Sequence, residues 1–299
     1  MSDSLRLGGH TIEITHGNRI VFPEDGITKR EMVEHYLRVA PFALPHLRGR
    51  PVSMQRVRDG IYGQVFFQKE VPRHFPQWIH RVTVPKAGGA VTHVICDNAA
   101  SLVYIANQGC ITPHVWLSRV GALERPDRLI IDLDPGNGGV TDARFAARLA
   151  REVLVAAGLV PYIMATGSRG YHLVVPIKAL VDFDTVRAIS TGLARLIAAE
   201  APDRLTSEFY KKKRHGRLFL DCNRNAWAQT AVPVYSIRPK PGAPVAVPID
   251  WDELDDIAPA AFNVRSLPAR LSAVPDPWKG FARHARGLEK ALRLASGHD

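Results

Sequence analysis

The sequence predicts an α+β or mixed α/β fold whose sheets contain antiparallel hairpins. Three features carry this: one capped amphipathic helix near the start, a long run of short strand-like segments, and a later alternation of strands with helices. In "TKREMVEHYLRVAP", Thr28 and Glu31 have capping-box spacing. Met32, Val33, Tyr36, Leu37 and Val39 supply the apolar stripe, and Pro41 is expected to end the helix. From Pro51 to Gln108 the pattern is strand-like, in "GQVFFQKEV", "RVTVP", "HVICD" and "SLVYIANQG". Strand "RLIIDLDP" then precedes a helix from about Thr141 to Ala157, followed by strands "PYIMATG" and "YHLVVPI". Those two strands are too close in sequence for a crossover, so they read as a hairpin. A helix from about Phe183 to Ala201 is marked by Val186, Ile189, Leu193, Leu196 and Ile197. Strands "RLFLDCN" and "PVYSIRP" come next, and a Pro-punctuated stretch leads to a short surface helix near Phe281 to Ala295.

With 299 residues, 46% of them apolar, the chain has enough material for a large core. The expected organisation is one domain over residues 1–299: an N-terminal lobe over 1–120, a second lobe over 121–275 and a terminal helix over 276–299. Thirty-nine Lys and Arg against twenty-nine Asp and Glu give a net charge of +10, which favours a polyanionic partner, nucleic acid first. Cys96, Cys110 and Cys222 form no CxxC pair and are odd in number, the pattern of a reducing compartment, and the cytoplasm is expected. "MSDSLRLGGHTIEITHG" has no apolar core of a signal peptide, and no apolar run is long enough to span a bilayer, so no membrane partner is expected.

The stretch "LIIDLDPGN" sets two acids into an apolar strand. Residues two apart on a strand share a face, with α-carbons about 6.5 Å apart, so Asp132 and Asp134 project together. Like charges that close are relieved by a divalent cation, and carboxylate oxygens suit Mg²⁺ or Mn²⁺. A solvated strand face or a capped turn explains a lone DxD equally well. A third acid, Asp221 in "RLFLDCNRN", again ends an apolar strand. Two acids plus one further ligand are what a two-metal site requires, whereas Asp221 alone also suits turn capping. Between these acids lies "ATGSRGYHLVV". Gly167 and Gly170 let the backbone approach a ligand, Thr166 and Ser168 offer hydroxyls, and Arg169 and His172 offer donors for phosphate oxygens. An ordinary Gly-rich hairpin turn fits the same residues, and with no GK[ST] and no following helix it is not a Walker A loop. "VFFQK" exposes one of Phe66 and Phe67 by alternation, unless both are core. "KKKRHGR" is a basic hairpin leading into the Asp221 strand, or simply a solvated charged turn.

Together "DLDPG", "TGSRGYH", "LDCNRN" and "VYSIRPKPGAPVAVPIDWDEL" resemble the polymerase domain of bacterial ATP-dependent DNA ligase D, a branch of the archaeo-eukaryotic primase superfamily used in non-homologous end joining. The likeness extends to "ITHGNRIVFPEDGITK", so it covers nearly the whole chain. It implies a primase-like catalytic core in which Asp132, Asp134 and Asp221 are the metal-binding catalytic acids. By the same resemblance Thr166, Gly167, Ser168, Arg169 and His172 hold the incoming nucleoside triphosphate, with His114, Arg224 and Arg238. Thr166 stands where the family usually has Ser, and Arg169 where it has Lys, so hydroxyl and charge are kept. Arg19 and Lys29 match two family lysines that grip the 5′-phosphate of a broken DNA end. Arg19 replaces Lys and His16 replaces Asn there, and a guanidinium binds phosphate bidentately where an ammonium acts as a point charge. Phe66 and Phe67 match an aromatic that stacks on a template base, and Arg214 an arginine that engages the primer terminus.

The activity implied is template-directed nucleotidyl transfer with two divalent ions, Mn²⁺ preference, ribonucleotide use and short gap filling at 5′-phosphorylated ends. Association with Ku and with a separate DNA ligase is implied as well, since the sequence holds no KxDG motif. Three rivals share parts of the pattern: a de novo primase, a catalytically idle DNA-end-binding module and a metal-dependent nuclease.

Overall fold

The computed structural model describes residues 4–297, and the chain forms two compact units, each assembled from three stretches. Unit 1 holds the chain up to Trp116 together with Thr230–Ala246 and Phe262–Val274. Unit 2 holds Leu117–Gln229, Val247–Ala261 and the chain from Pro275 onward.

Unit 1 begins with two hairpins, β1 (Ser4–Leu7) with β2 (His10–Glu13) and β3 (Ile20–Phe22) with β4 (Ile27–Thr28). Helix α1 (Lys29–Leu47) starts at the capping box, where Glu31 N–H donates to Thr28 Oγ1 at 3.3 Å and Thr28 N–H to Glu31 Oε2 at 2.9 Å. It does not stop at Pro41 but runs through Pro41 and Pro45. Each internal proline loses a backbone bond, but Ala43 and Leu44 after Pro41 and Leu47 after Pro45 are buried, and α1 packs along a second helix. Burial here outweighs the local penalty.

Strands β5 (Pro51–Val57), β6 (Val65–Gln68), β7 (Arg81–Lys86) and β8 (Gly89–Ile95) follow. The segment "SLVYIANQG", expected as a strand, is instead part of α2 (Ala99–Asn107). Asn98 caps it by accepting from Ser101 N–H at 2.8 Å, and a continuous apolar run has no period to distinguish strand from helix. Strand β9 (Cys110–Trp116) closes this part of the chain.

Unit 2 carries β10 (Arg128–Asp134), α3 (Gly139–Ala156), β11 (Tyr162–Ala165), β12 (Tyr171–Pro176), α4 (Phe183–Glu200), β13 (Leu205–Thr206) and β14 (Leu218–Asp221). The chain returns to unit 1 at β15 (Thr230–Ala231), which adds to the edge of β9. Residues 230–246, grouped by the sequence with the second lobe, therefore lie in unit 1. The stretch "PVYSIRP", expected as a strand, is a turn in which Tyr235 sits at φ 66° and only Ile237 makes a bridge, to Val245. β16 (Val247–Ile249) rejoins unit 2, α5 (Leu267–Ala273) belongs to unit 1, and α6 (Glu289–Ala295) to unit 2.

The unit 1 sheet runs β15-β9-β5-β8-β7 with β6 beside β5. The unit 2 sheet runs β13-β14-β10-β12-β11-β16, antiparallel except for the β13–β14 pair. Helices α3 and α4 pack on each other and on β10 and β14. The terminal helix is split: one 3₁₀ turn at Phe281–His284, an extended step where Arg286 bridges Ile177, then α6 packed on α4. The fold is α+β, as the sequence predicts. No helix among the described residues is long and apolar enough to cross a membrane.

Candidate active site

Strand register builds the site in unit 2. On β10, Ile131 and Leu133 are fully buried, and alternation sends Asp132 and Asp134 to the other face. Asp132 stands directly opposite Asp221 on β14 and opposite His172 on β12, and His172 is opposite Met164 on β11. One row across four strands therefore reads Met164, His172, Asp132, Asp221. Two carboxylates in directly opposed positions repel, and such pairs are destabilising unless something positive is supplied.

The partners of the three acids are specific. His172 Nε2 lies 3.4 Å from Asp132 Oδ2, and its Nδ1 is buried with no hydrogen-bond partner. Asp134 Oδ1 accepts from Arg169 Nη2 at 2.9 Å, and its Oδ2 from Arg214 Nη1 at 3.3 Å. Arg214 also lies over the Phe219 ring, 3.8 Å from its centroid, and Phe219 is the residue opposite Asp134. Asp221 Oδ1 accepts from Asn223 N–H at 2.7 Å and from Asn223 Nδ2 at 2.6 Å.

The expected convergence of three carboxylates is thus not formed as a closed cluster. Among the described residues no group of three or more His, Cys, Asp or Glu is gathered so as to hold a metal ion. Asp134 is instead paired with two guanidinium groups. The donor set nevertheless fits a hard cation: three carboxylates share one sheet face, two of them directly opposed.

The turn from Thr166 to Gly170 packs onto the end of β10. A Cβ on Gly170 would lie 1.9 Å from the Leu133 carbonyl oxygen, so only glycine fits there. Thr166 Oγ1 donates to the Gly170 carbonyl at 2.7 Å, and Gly167, at φ 65°, donates its N–H to the Pro259 carbonyl at 2.8 Å. Both groups are committed to holding the turn. Ser168 and Arg169 at its tip are the more accessible members, and Arg224, on a single 3₁₀ turn after Asp221, is exposed.

The remaining predicted residues belong to unit 1. His16, at φ 53°, and Arg19 line a cavity of about 520 Å³ with Ile14, Gly17, Asn18 and Arg30. His and Asn are among the few side chains enriched at positive φ, which makes His16 a sterically natural replacement for Asn. Lys29 is only 3% exposed, and its Nζ donates to the Thr15 carbonyl at 2.5 Å and to Thr15 Oγ1 at 3.0 Å. Burial, and after it the Arg19 charge, push its pKa down to about 8. Of the aromatic pair, Phe67 is 55% exposed and meets His114 edge-on at 5.1 Å, while Phe66 lies under the Arg56 guanidinium. His114 Nε2 is 3.2 Å from Gln55 Oε1. Arg238 N–H donates to the Pro244 carbonyl at 2.7 Å.

A family model described as LigD, primase-polymerase domain, matches residues 28–278. The chain belongs to that family. Among LigD relatives, it is 33% identical over 290 residues to the multifunctional non-homologous end joining protein LigD of Pseudomonas aeruginosa, covering 96% of this chain and 34% of that protein. It is also 33% identical over 271 residues to the multifunctional non-homologous end joining DNA repair protein LigD of Mycobacterium tuberculosis, covering 87% of this chain and 36% of the relative. The chain spans about a third of the length of these LigD proteins. The solved polymerase domain of Mycobacterium tuberculosis Ligase D in complex with DNA superposes with a TM-score of 0.85 at 30% identity, covering 92% of this chain and 99% of that one.

For this LigD-family chain, sequence reasoning missed two residues that the structure draws into the sites. Arg30 lines the same cavity as Arg19, its N–H held by the Gly17 carbonyl at 2.9 Å. Its position one residue after Lys29, in the first turn of α1, was the available signal. Asn223 bonds Asp221, and its place two residues after the acid is an Asx-turn spacing visible in the sequence.

Proposed function

We propose that the chain is a template-directed nucleotidyltransferase that extends a primer 3′-hydroxyl across short gaps at broken DNA ends, favouring ribonucleotides. The observation that carries this reading is the opposed Asp132–Asp221 pair with Asp134 on the same sheet face. Family membership supports the polymerase class, and the DNA complex of the solved relative supports DNA as the partner. The +10 charge agrees with it.

Asp132, Asp134 and Asp221 would hold two divalent ions, Mn²⁺ or Mg²⁺, which when bound lower the pKa of an attacking hydroxyl and neutralise developing phosphate charge. His172 Nε2 lies beside Asp132 in the same row, and Asn223 holds one oxygen of Asp221. Arg169 and Arg214 supply positive charge beside Asp134, and Arg169 at the turn tip, with Ser168, is the group offered to triphosphate oxygens. Thr166 and Gly167 act by holding the turn, and Arg224 adds an exposed cation next to Asp221. In unit 1, Arg19 and Arg30, with Lys29 behind them, form a cationic cavity suited to a 5′-phosphate, and the buried, unpartnered Nε of Arg19 is a donor available to such an oxyanion. The nucleotide contacts of His114 and Arg238, the template stacking of Phe66 and Phe67, and association with Ku and a separate ligase rest on the family resemblance and are proposed with it.

The test is extension of a 5′-phosphorylated gapped duplex with Mn²⁺, comparing ribo- with deoxyribonucleoside triphosphates and repeating the assay without primer. Primer-dependent addition with ribonucleotides ahead is expected. Products made without primer would make the chain a primase, shortened primers a nuclease, and DNA binding without addition an idle end-binding module.

A further inference from the structure

The hairpin that delivers Arg214 to Asp134 carries two aromatic side chains with no core to enter. Phe209 is 62% exposed and Tyr210 65% exposed, their rings meeting edge-on at 5.5 Å. Two adjacent aromatic rings on a solvated hairpin make a contiguous exposed apolar patch, the kind of surface that interaction sites use. Lys211, Lys212 and Lys213 follow as one 3₁₀ turn, with the Lys213 ammonium 5.6 Å from the Tyr210 ring centroid. The nearest acid in this segment, Glu208, accepts the Tyr210 N–H at 2.9 Å and so serves the turn.

Phe209 also forms one wall of a cavity of about 320 Å³ whose other walls include Arg187, Thr191, Ser207 and Asn223. Phe219, Leu220 and Cys222 also line it, so the cavity mixes apolar surface with hydrogen-bonding groups, as a nucleobase needs for its face and its edge. The cavity and the hairpin are both tied to the acids. Asn223 lines the cavity and bonds Asp221, while Arg214 accepts its position from the Glu208 and Phe209 carbonyls, to which it donates at 3.1 and 2.8 Å, before reaching Asp134.

We propose that Phe209 and Tyr210, with the cavity behind Phe209, form a stacking site for an unpaired base of a single-stranded 3′ end, with Lys211 to Lys213 holding its phosphates. Single-stranded nucleic acid is favoured over a protein partner by the run of cations beside the rings, and over duplex because paired bases hide their faces. The inference rests on the proposed function for its nucleic-acid partner and extends it to residues outside the family motifs quoted above.

The test compares wild type, Phe209→Ala, Tyr210→Ala and Tyr210→Phe in binding a duplex with a 3′ overhang and the same duplex blunt, with 2-aminopurine in the overhang reporting stacking. Both alanine variants should bind the overhang duplex at least about five-fold more weakly, leave 2-aminopurine unquenched and bind blunt duplex as wild type does, and Tyr210→Phe should restore both readouts. Equal loss on blunt and overhang DNA, or no loss on either, overturns the stacking site, the latter leaving the patch to another occupant. Wild type binding neither DNA overturns the proposed function itself, which separates the two failures.

Discussion

Asp132 and Asp221 stand directly opposite each other on neighbouring antiparallel strands, with Asp134 two residues along the same face. Without a cation this opposition works against folding. Asp221→Asn removes one charge while keeping an oxygen for the Asn223 N–H, so in metal-free buffer it should raise stability by about 0.2–1 kcal/mol. Chemical denaturation in chelator checks this, and nucleotide addition by the same variant should be lost.

On the proposed function, Arg169, which bonds Asp134, competes with a metal for that carboxylate and is also the exposed donor at the turn tip. Arg169→Ala is therefore expected to have opposite effects on two ligands. Mn²⁺ binding without nucleotide should tighten by no more than about five-fold, because exposed ion pairs contribute only about 0–1 kcal/mol. Triphosphate binding should weaken. Manganese titration followed by electron paramagnetic resonance, then by nucleotide competition, reads both.

On the proposed role of Lys29, end recognition depends on pH. With its pKa near 8, the ammonium is charged at neutral pH and loses its proton as pH rises through 8. A bound phosphate favours the charged form, so the preference for a 5′-phosphorylated over a 5′-hydroxyl end should fall between pH 7 and 9. Lys29→Met should lower the preference at pH 7 and flatten the profile.

His35 makes the stability of the fold itself depend on pH. It is fully buried, its Nε2 2.8 Å from the Tyr235 carbonyl, and burial pushes its pKa down to about 4 despite that carbonyl. Between pH 4 and the ordinary value of 6.5 the unfolded chain binds a proton that the folded chain does not. Stability should therefore fall as pH drops through that window, and His35→Gln, which still donates to the carbonyl, should reduce the slope in pH-dependent urea denaturation.

Gly170 is fixed by sterics. Gly170→Ala drives a Cβ into the Leu133 carbonyl, so the turn must leave β10, at a cost of about 1–3 kcal/mol. Thermal denaturation checks the cost, and loss of triphosphate affinity checks that the turn and the acids move together.

Local chemistry was legible in the sequence where it stood alone. The Thr28–Glu31 box, the apolar stripe of α4 and the strand-end positions of the acids each follow from spacing within a few residues. What was hidden depends on distant partners. Asp134 meets Arg214, eighty positions on, only because β14 folds back beside β10. The helix at Ala99–Asn107 was lost in an apolar run without a period, and α1 continues past Pro41 because of burial that no local signal records. Lys29 was legible as a phosphate-gripping cation only by resemblance, and its burial against Thr15 in the first turn of α1 has no local signal.

The most direct measurement is Mn²⁺ binding, by electron paramagnetic resonance, to wild type and to Asp132→Asn, Asp134→Asn and Asp221→Asn, each confirmed folded by circular dichroism. Saturable binding to the wild type that each substitution weakens at least about ten-fold is the expected result. Binding that survives all three substitutions would contradict a metal centre on this sheet face.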